Sequence, residues 1–125
     1  MSENEIAYQI RGAIYDVYNK LGPGLFESVY ENTLSYELTK RGLEVKSQVP
    51  INIIYDGIDM GAGFKMDLLV DDKVIIELKS VEHIALVHHK QLLTYLKLTN
   101  LKLGILVNFN TSNINNSIIR KVNGL

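Results

Sequence analysis

Two short apolar runs separated by three polar residues constrain this chain more than anything else in it. Gly63-Phe64-Lys65-Met66-Asp67-Leu68-Leu69-Val70 leads through Asp71-Asp72-Lys73 into Val74-Ile75-Ile76-Glu77-Leu78-Lys79. Their length, their branched side chains and the polar break predict a β-hairpin. Each strand sets a carboxylate among residues suited to burial, and the second adds a lysine two positions later. Burying charge without a partner costs several kcal/mol. A divalent metal ion is the simplest compensation.

Side chains alternate along a strand, so Lys65, Asp67 and Leu69 are expected on one face of theirs, and Ile75, Glu77 and Lys79 on one face of the other. Register decides whether those faces coincide. A two-residue turn at Asp71-Asp72 pairs Asp67 with Ile76 and sends Glu77 to the opposite side. A three-residue loop, Asp71-Asp72-Lys73, pairs Asp67 with Glu77 and Lys65 with Lys79. In that arrangement the acids repel and raise each other's pKa. Mg²⁺ or Mn²⁺ removes the repulsion, since hard cations take a few carboxylates, a carbonyl and waters. Lys79 is then placed to orient water or to stabilise charge developing on a phosphorane. The plainer alternative is a half-exposed hairpin whose charged face meets solvent.

At 125 residues the chain is expected to be a single domain, residues 1–125. It has no cysteine, which excludes disulfides, thiolate metal sites and cysteine nucleophiles. Met1-Ser2-Glu3-Asn4-Glu5 does not resemble a signal peptide, and no apolar run reaches the roughly 18 residues a membrane span needs. A cytoplasmic protein without membrane contact is expected. The net charge of −1 differs from the basic balance usual in tight nucleic-acid binders, so nucleic-acid contact requires a local basic patch or an oligomer.

Ile6, Ile10, Ala13, Ile14, Val17, Tyr18 and Leu21 recur at helical spacing and predict a helix over about 3–21, stopped by Gly22-Pro23-Gly24. A second helix is expected from Leu25 or Phe26 to Arg41, with Phe26, Val29, Tyr30, Leu34 and Leu38 inward and Gly42 as its stop. Leu43 to Val49 alternates like a strand, Pro50 interrupts it, and Ile51 to Tyr55 resumes before an Asp56-Gly57 hairpin turn. After the central hairpin, a helix over about Ile84 to Leu98 faces Leu92, Leu93 and Leu96 inward. Leu103 to Phe109 reads as a buried final strand, parallel by its near-continuous apolarity. Ile114 to Val122 is expected to form a short last helix. The order predicts an α/β fold, a mixed sheet flanked by helices.

Asp67 followed by Glu77-Leu78-Lys79 resembles the D…ExK signature of the PD-(D/E)XK nuclease superfamily (restriction-endonuclease-like core), with Met66 in place of the superfamily's proline. Gly24, Glu27 and Tyr30 match the G-x-x-E-x-x-Y motif of a bacterial family in that superfamily, the GxxExxY family. Gln91-Leu92-Leu93-Thr94-Tyr95 resembles the Q-x-x-x-Y motif of its RecB-like nucleases. The resemblance covers roughly Ile6 to Phe109. It implies that Asp67, Glu77 and the backbone carbonyl of Leu78 bind Mg²⁺ or Mn²⁺, with Glu27 a third acid acting directly or through water. It implies that Lys79 is the catalytic lysine, and that Gln91 and Tyr95 contact phosphate or fix the carboxylates. Tyr30 either supports Glu27 or packs.

His83, His88 and His89 are set aside as a metal site, because adjacent helical residues diverge by about 100°. Tyr8, Tyr15 and Tyr18 are expected to pack or to form a dimer surface rather than stack on bases. The expected function is therefore a metal-dependent nuclease acting on nucleic acid, DNA ahead of RNA, as a homodimer or a subunit of a larger complex. The rival is a catalytically inactive nucleic-acid or protein interaction module on the same fold.

Overall fold

Ser2 starts the first helix through a reciprocal cap. Its hydroxyl accepts the N–H of Glu5 (3.2 Å) while the Glu5 carboxylate accepts the N–H of Ser2 (3.0 Å), which satisfies two backbone donors left over at a helix start. The computed structural model describes all 125 residues. It runs α1 (Glu3–Leu21), α2 (Glu27–Lys40), β1 (Val45–Tyr55), β2 (Ile58–Val70), β3 (Val74–Lys79), α3 (Leu86–Thr99), β4 (Leu103–Asn108), a 3₁₀ turn (Ile114–Ser117) and β5 (Ile118–Val122). The five strands form one sheet in sequence order. Only β3 and β4 are parallel, and α3 provides the crossover between them. This mixed sheet with three helices is the α/β architecture expected.

The helices cover both faces. Ile6, Ile10, Ala13, Ile14 and Val17 of α1, with Tyr30, Leu34 and Leu38 of α2, form one cluster with Leu68, Val70, Val74, Ile76, Leu78 and Ile105. On the other face Leu92 and Leu96 of α3 join Met66, Leu69, Ile75 and Leu106. Each fully buried Val, Leu, Ile or Met side chain among them contributes about 1.5–3 kcal/mol of apolar burial.

Four expectations are corrected. Pro50 does not interrupt β1, which continues from Val45 to Tyr55; β1 lies at the sheet's edge, where a residue without an N–H breaks no ladder. Phe26 and Val29 do not face inward: Phe26 is 82% exposed and Val29 38%, because the helix starts only at Glu27 and turns Tyr30, Leu34 and Leu38 to the sheet. Residues 114–122 are not a helix. After the 3₁₀ turn the chain pairs antiparallel with β4, with Ile118 packed on one face of the sheet and Ile119 on the other. The free edge of β4 thus captures a segment whose apolar spacing also fits a helix. Lys65 does not share a face with Leu69 and Lys79: Phe64 and Met66 pack with Leu69 and Ile75 on the α3 side, so strict alternation breaks at Asp67 and Lys65 is exposed on the other side.

Candidate active site

The β2–β3 turn sets the geometry. Lys73 N–H bonds to Val70 C=O (3.0 Å), with Asp71 and Asp72 both left-handed (φ 51° and 54°), a conformation Asp tolerates better than most residues. Asp71 also accepts the N–H of Glu44 (2.8 Å), and Asp72 pairs with Lys46 (2.8 Å). Val70 then faces Val74, and the loop is the three-residue alternative. The ladder runs through Leu69↔Ile75 to Leu68↔Ile76 and stops, although β3 continues beside β4 as far as Lys79↔Asn108. From Asp67 and Glu77 onward, β2 and β3 separate.

The two acids occupy the mouth of that gap. Asp67 N–H donates to Glu77 Oε1 (3.3 Å), and Leu78 N–H donates to Asp67 Oδ2 (2.9 Å). Each carboxylate takes up a backbone donor on the opposing strand that the interrupted ladder leaves without a carbonyl. In a strand the N–H and C=O of one residue project to the same side. Lys79 C=O accepts Phe109 N–H on the β4 side (2.9 Å), so the C=O of Leu78, one residue earlier, opens on the gap.

Glu77 is only 8% exposed. Burial foremost, and then the neighbouring Asp67 carboxylate, push its pKa up to about 8, against a smaller downward pull from Lys79. Lys79 is half-buried and forms no ion pair with either acid. From the α3 side, Tyr95 stacks on Phe64 with ring centres 3.9 Å apart. Burial first, then the charges of Glu77 and Asp67, raise its phenol above the ordinary value, while a hydrogen bond with Gln91 opposes the rise. Gln91 itself is exposed.

From the other side, Glu27 and Ser28 in the first turn of α2, with Glu31, Gln48, Asp67 and Leu78, line a cavity of about 330 Å³. Glu27 is exposed and shares this cavity with Asp67 and not with Glu77. Tyr30 fixes where that first turn sits. Its ring stacks on Phe109 at 4.3 Å, while its hydroxyl donates to Gly22 C=O (2.6 Å) and accepts Leu25 N–H (3.1 Å). Gly22 and Gly24 supply the positive φ the turn needs (70° and 96°). Ser80 Oγ ties Leu25 C=O to the end of β3 (2.7 Å). Tyr30 therefore packs, and through the turn it holds the residues leading to Glu27.

Three participants escaped the sequence reading. Gln48 Nε2 donates to Glu31 Oε1 (2.7 Å) and lies 3.4 Å from Asp67 Oδ1, and Ser47 Oγ donates to Glu31 Oε2 (2.8 Å). Glu31 stands one helical turn after Glu27, a spacing that places both acids on one face and was readable. The histidines stand apart: His88 Nδ1 accepts Ala85 N–H at the start of α3 (3.1 Å), and His83 is solvent-exposed.

Nowhere does the chain gather three or more acidic or histidine side chains able to hold an ion. Asp67, Glu77 and the Leu78 carbonyl instead offer two carboxylates and one neutral oxygen. That set fits a hard cation that keeps several of its waters. The groove between α1 and β5, about 230 Å³ and lined by Tyr8, Arg11, Ile105, Ile118 and Arg120, contains no carboxylate and is separate from this constellation.

Among known families, the model of the PD-(D/E)XK nuclease superfamily matches residues 4–121. Comparison with curated proteins and with solved structures returned no match.

Proposed function

The chain belongs to the PD-(D/E)XK nuclease superfamily, and we propose that it hydrolyses phosphodiester bonds in nucleic acid, DNA ahead of RNA, with Mg²⁺ or Mn²⁺ as cofactor. The observation that carries this reading is the gap between β2 and β3, where half-buried Asp67 and buried Glu77 each accept a backbone N–H from the opposing strand and neither acid forms an ion pair. Asp67, Glu77 and the carbonyl of Leu78 would hold the cation, with Glu27 reaching it across the cavity it shares with Asp67. On Gly24, Glu27 and Tyr30 we place the chain in the GxxExxY family.

A divalent cation bound there supplies Lewis-acid neutralisation of the phosphate. Lys79, free of ion pairs, presents its ammonium to the negative charge that builds on the phosphate oxygens. Tyr95 is held flat against Phe64 and offers a phenol proton to a phosphate oxygen or to Glu77, with Gln91 one turn earlier donating an amide. The reciprocal backbone bonds fix both carboxylates before substrate arrives, so little reorganisation is needed on binding.

The test is cleavage of single- and double-stranded DNA and RNA in Mn²⁺ by the purified chain. Cleavage should be lost in Glu77→Ala. A parent protein that cuts no form, indistinguishable from Glu77→Ala in every assay, sinks the reading. The net charge of −1 favours the second reading, a non-catalytic interaction module. It predicts no Mn²⁺ binding by calorimetry.

A further inference from the structure

We propose that Gln48 is a positioning residue for Asp67, its amide orienting the carboxylate from a rung where the backbone turns over; the inference rests on the nuclease reading above. Gln48 holds φ at 52° inside β1, a left-handed conformation that a residue with a side chain rarely adopts within a strand. Observed outliers of this kind concentrate at sites where the local geometry is used. Gln48 stands on the rung opposite Asp67, between the pairs Ser47↔Leu68 and Val49↔Met66.

Both strands change face at that rung. On β1, Val45 packs with the α1–α2 cluster, whereas Val49 and Ile51 pack with the α3 cluster. On β2, Leu68 and Val70 belong to the first cluster, Phe64 and Met66 to the second. Strict alternation allows neither change. The positive φ at this rung belongs to Gln48, so its backbone is where the paired strands turn over together. Asp67 lies at the point of inversion. Its carboxylate emerges into the β2–β3 gap and meets Leu78 N–H instead of being committed to either packed face.

The side chain adds a second constraint. Glu31 is held by β1 through both oxygens, one on Ser47 Oγ and one on Gln48 Nε2. That grip points the Gln48 amide at Asp67 Oδ1, the oxygen that Leu78 does not use. Asp67 is thus oriented by donors from two strands, and the helix carrying Glu27 is joined to the same chain of contacts.

Gln48→Gly tests this in the full-length protein, since glycine adopts a positive φ without strain but lacks the amide. Its thermal midpoint should equal or exceed the parent's, which separates the effect from unfolding. Calorimetric titration should show Mn²⁺ affinity reduced about tenfold or more, within the range seen when groups that orient metal ligands are removed. Cleavage should lose kcat with KM for nucleic acid unchanged. Glu31→Gln, which keeps the side chain's size but weakens its hold on Gln48, should reproduce part of the affinity loss. If Gln48→Gly binds Mn²⁺ as tightly as the parent while Asp67→Ala has lost binding, this inference is overturned and the nuclease reading stands. A parent protein that binds no Mn²⁺ overturns both.

Discussion

With 8% of its surface exposed and Asp67 beside it, Glu77 keeps its proton up to about pH 8, against an ordinary value of 4.5. The sign of the consequence follows from proton counting. Between those two values the folded chain binds more protons at this position than the unfolded chain, so stability falls as pH rises. The contribution is complete below pH 4.5 and gone once pH passes about 8. In chelator-treated protein the thermal midpoint should therefore decline across that window, and the decline should be shallower in Glu77→Gln. At pH 8 the variant should be the more stable by on the order of a few kcal/mol, measurable by denaturant unfolding. An equal slope in both proteins would remove Glu77 as the cause. Lys79 behaves differently, because it forms no ion pair and pulls only weakly on Glu77. Lys79→Ala should leave the midpoint nearly unchanged and lower turnover by about 100-fold or more, as single-turnover cleavage would show.

Among the elements, the turn before α2 and the seat of α3 govern how side chains reach the gap. Tyr30→Phe keeps the stacking on Phe109 but removes both hydroxyl bonds to the Gly22–Leu25 turn. It should cost about 1–3 kcal/mol by equilibrium unfolding and reduce cleavage further by loosening the approach of Glu27. Gly104 sets the distance from α3 to β4, since a Cβ there would lie 2.8–3.1 Å from the end of Leu92. Gly104→Ala should cost about 1–3 kcal/mol through overpacking and shift Tyr95 relative to Glu77. Most elements were legible. The spacing from Ile6 to Val17 gave α1, and the runs at Val74 and Leu103 gave β3 and β4, because burial there follows a single periodicity. The central acids were legible as residues, but the register that joins them depended on two left-handed aspartates. The β5 segment could not be read, because Ile114, Ile118, Ile119 and Val122 suit a helix equally well and only a free neighbouring edge decides. Gln48 was hidden for a related reason: alternation along a strand says nothing about a rung where two strands invert together.

As a whole molecule, the chain carries a net charge of −1 and so lacks the field that draws polyanions to basic proteins. On the proposed reading, the cation adds to the affinity that a local basic patch or an oligomer supplies. Chelation should weaken that affinity in a filter-binding or anisotropy assay, whereas binding through a basic surface alone would be largely insensitive. The same cation should stabilise the fold by mass action. At a hundredfold excess over Kd the gain is about 2.7 kcal/mol, several degrees in the thermal midpoint, and Asp67→Ala should abolish it.

The edge strand that tolerates Pro50 has one more effect. Beyond the covered part of the sheet, the β1–β2 ribbon exposes Ile54, Tyr55, Ile58 and Met60, a sticky surface beside an open row of backbone groups. Pro50 offers no amide hydrogen, Gln48 two residues earlier is left-handed, and the pairing register shifts between Ile51 and Asn52 and again between Asn52 and Ile54. An incoming chain therefore finds no straight, continuous template for pairing, and the ribbon is guarded against growing into an aggregate along that margin.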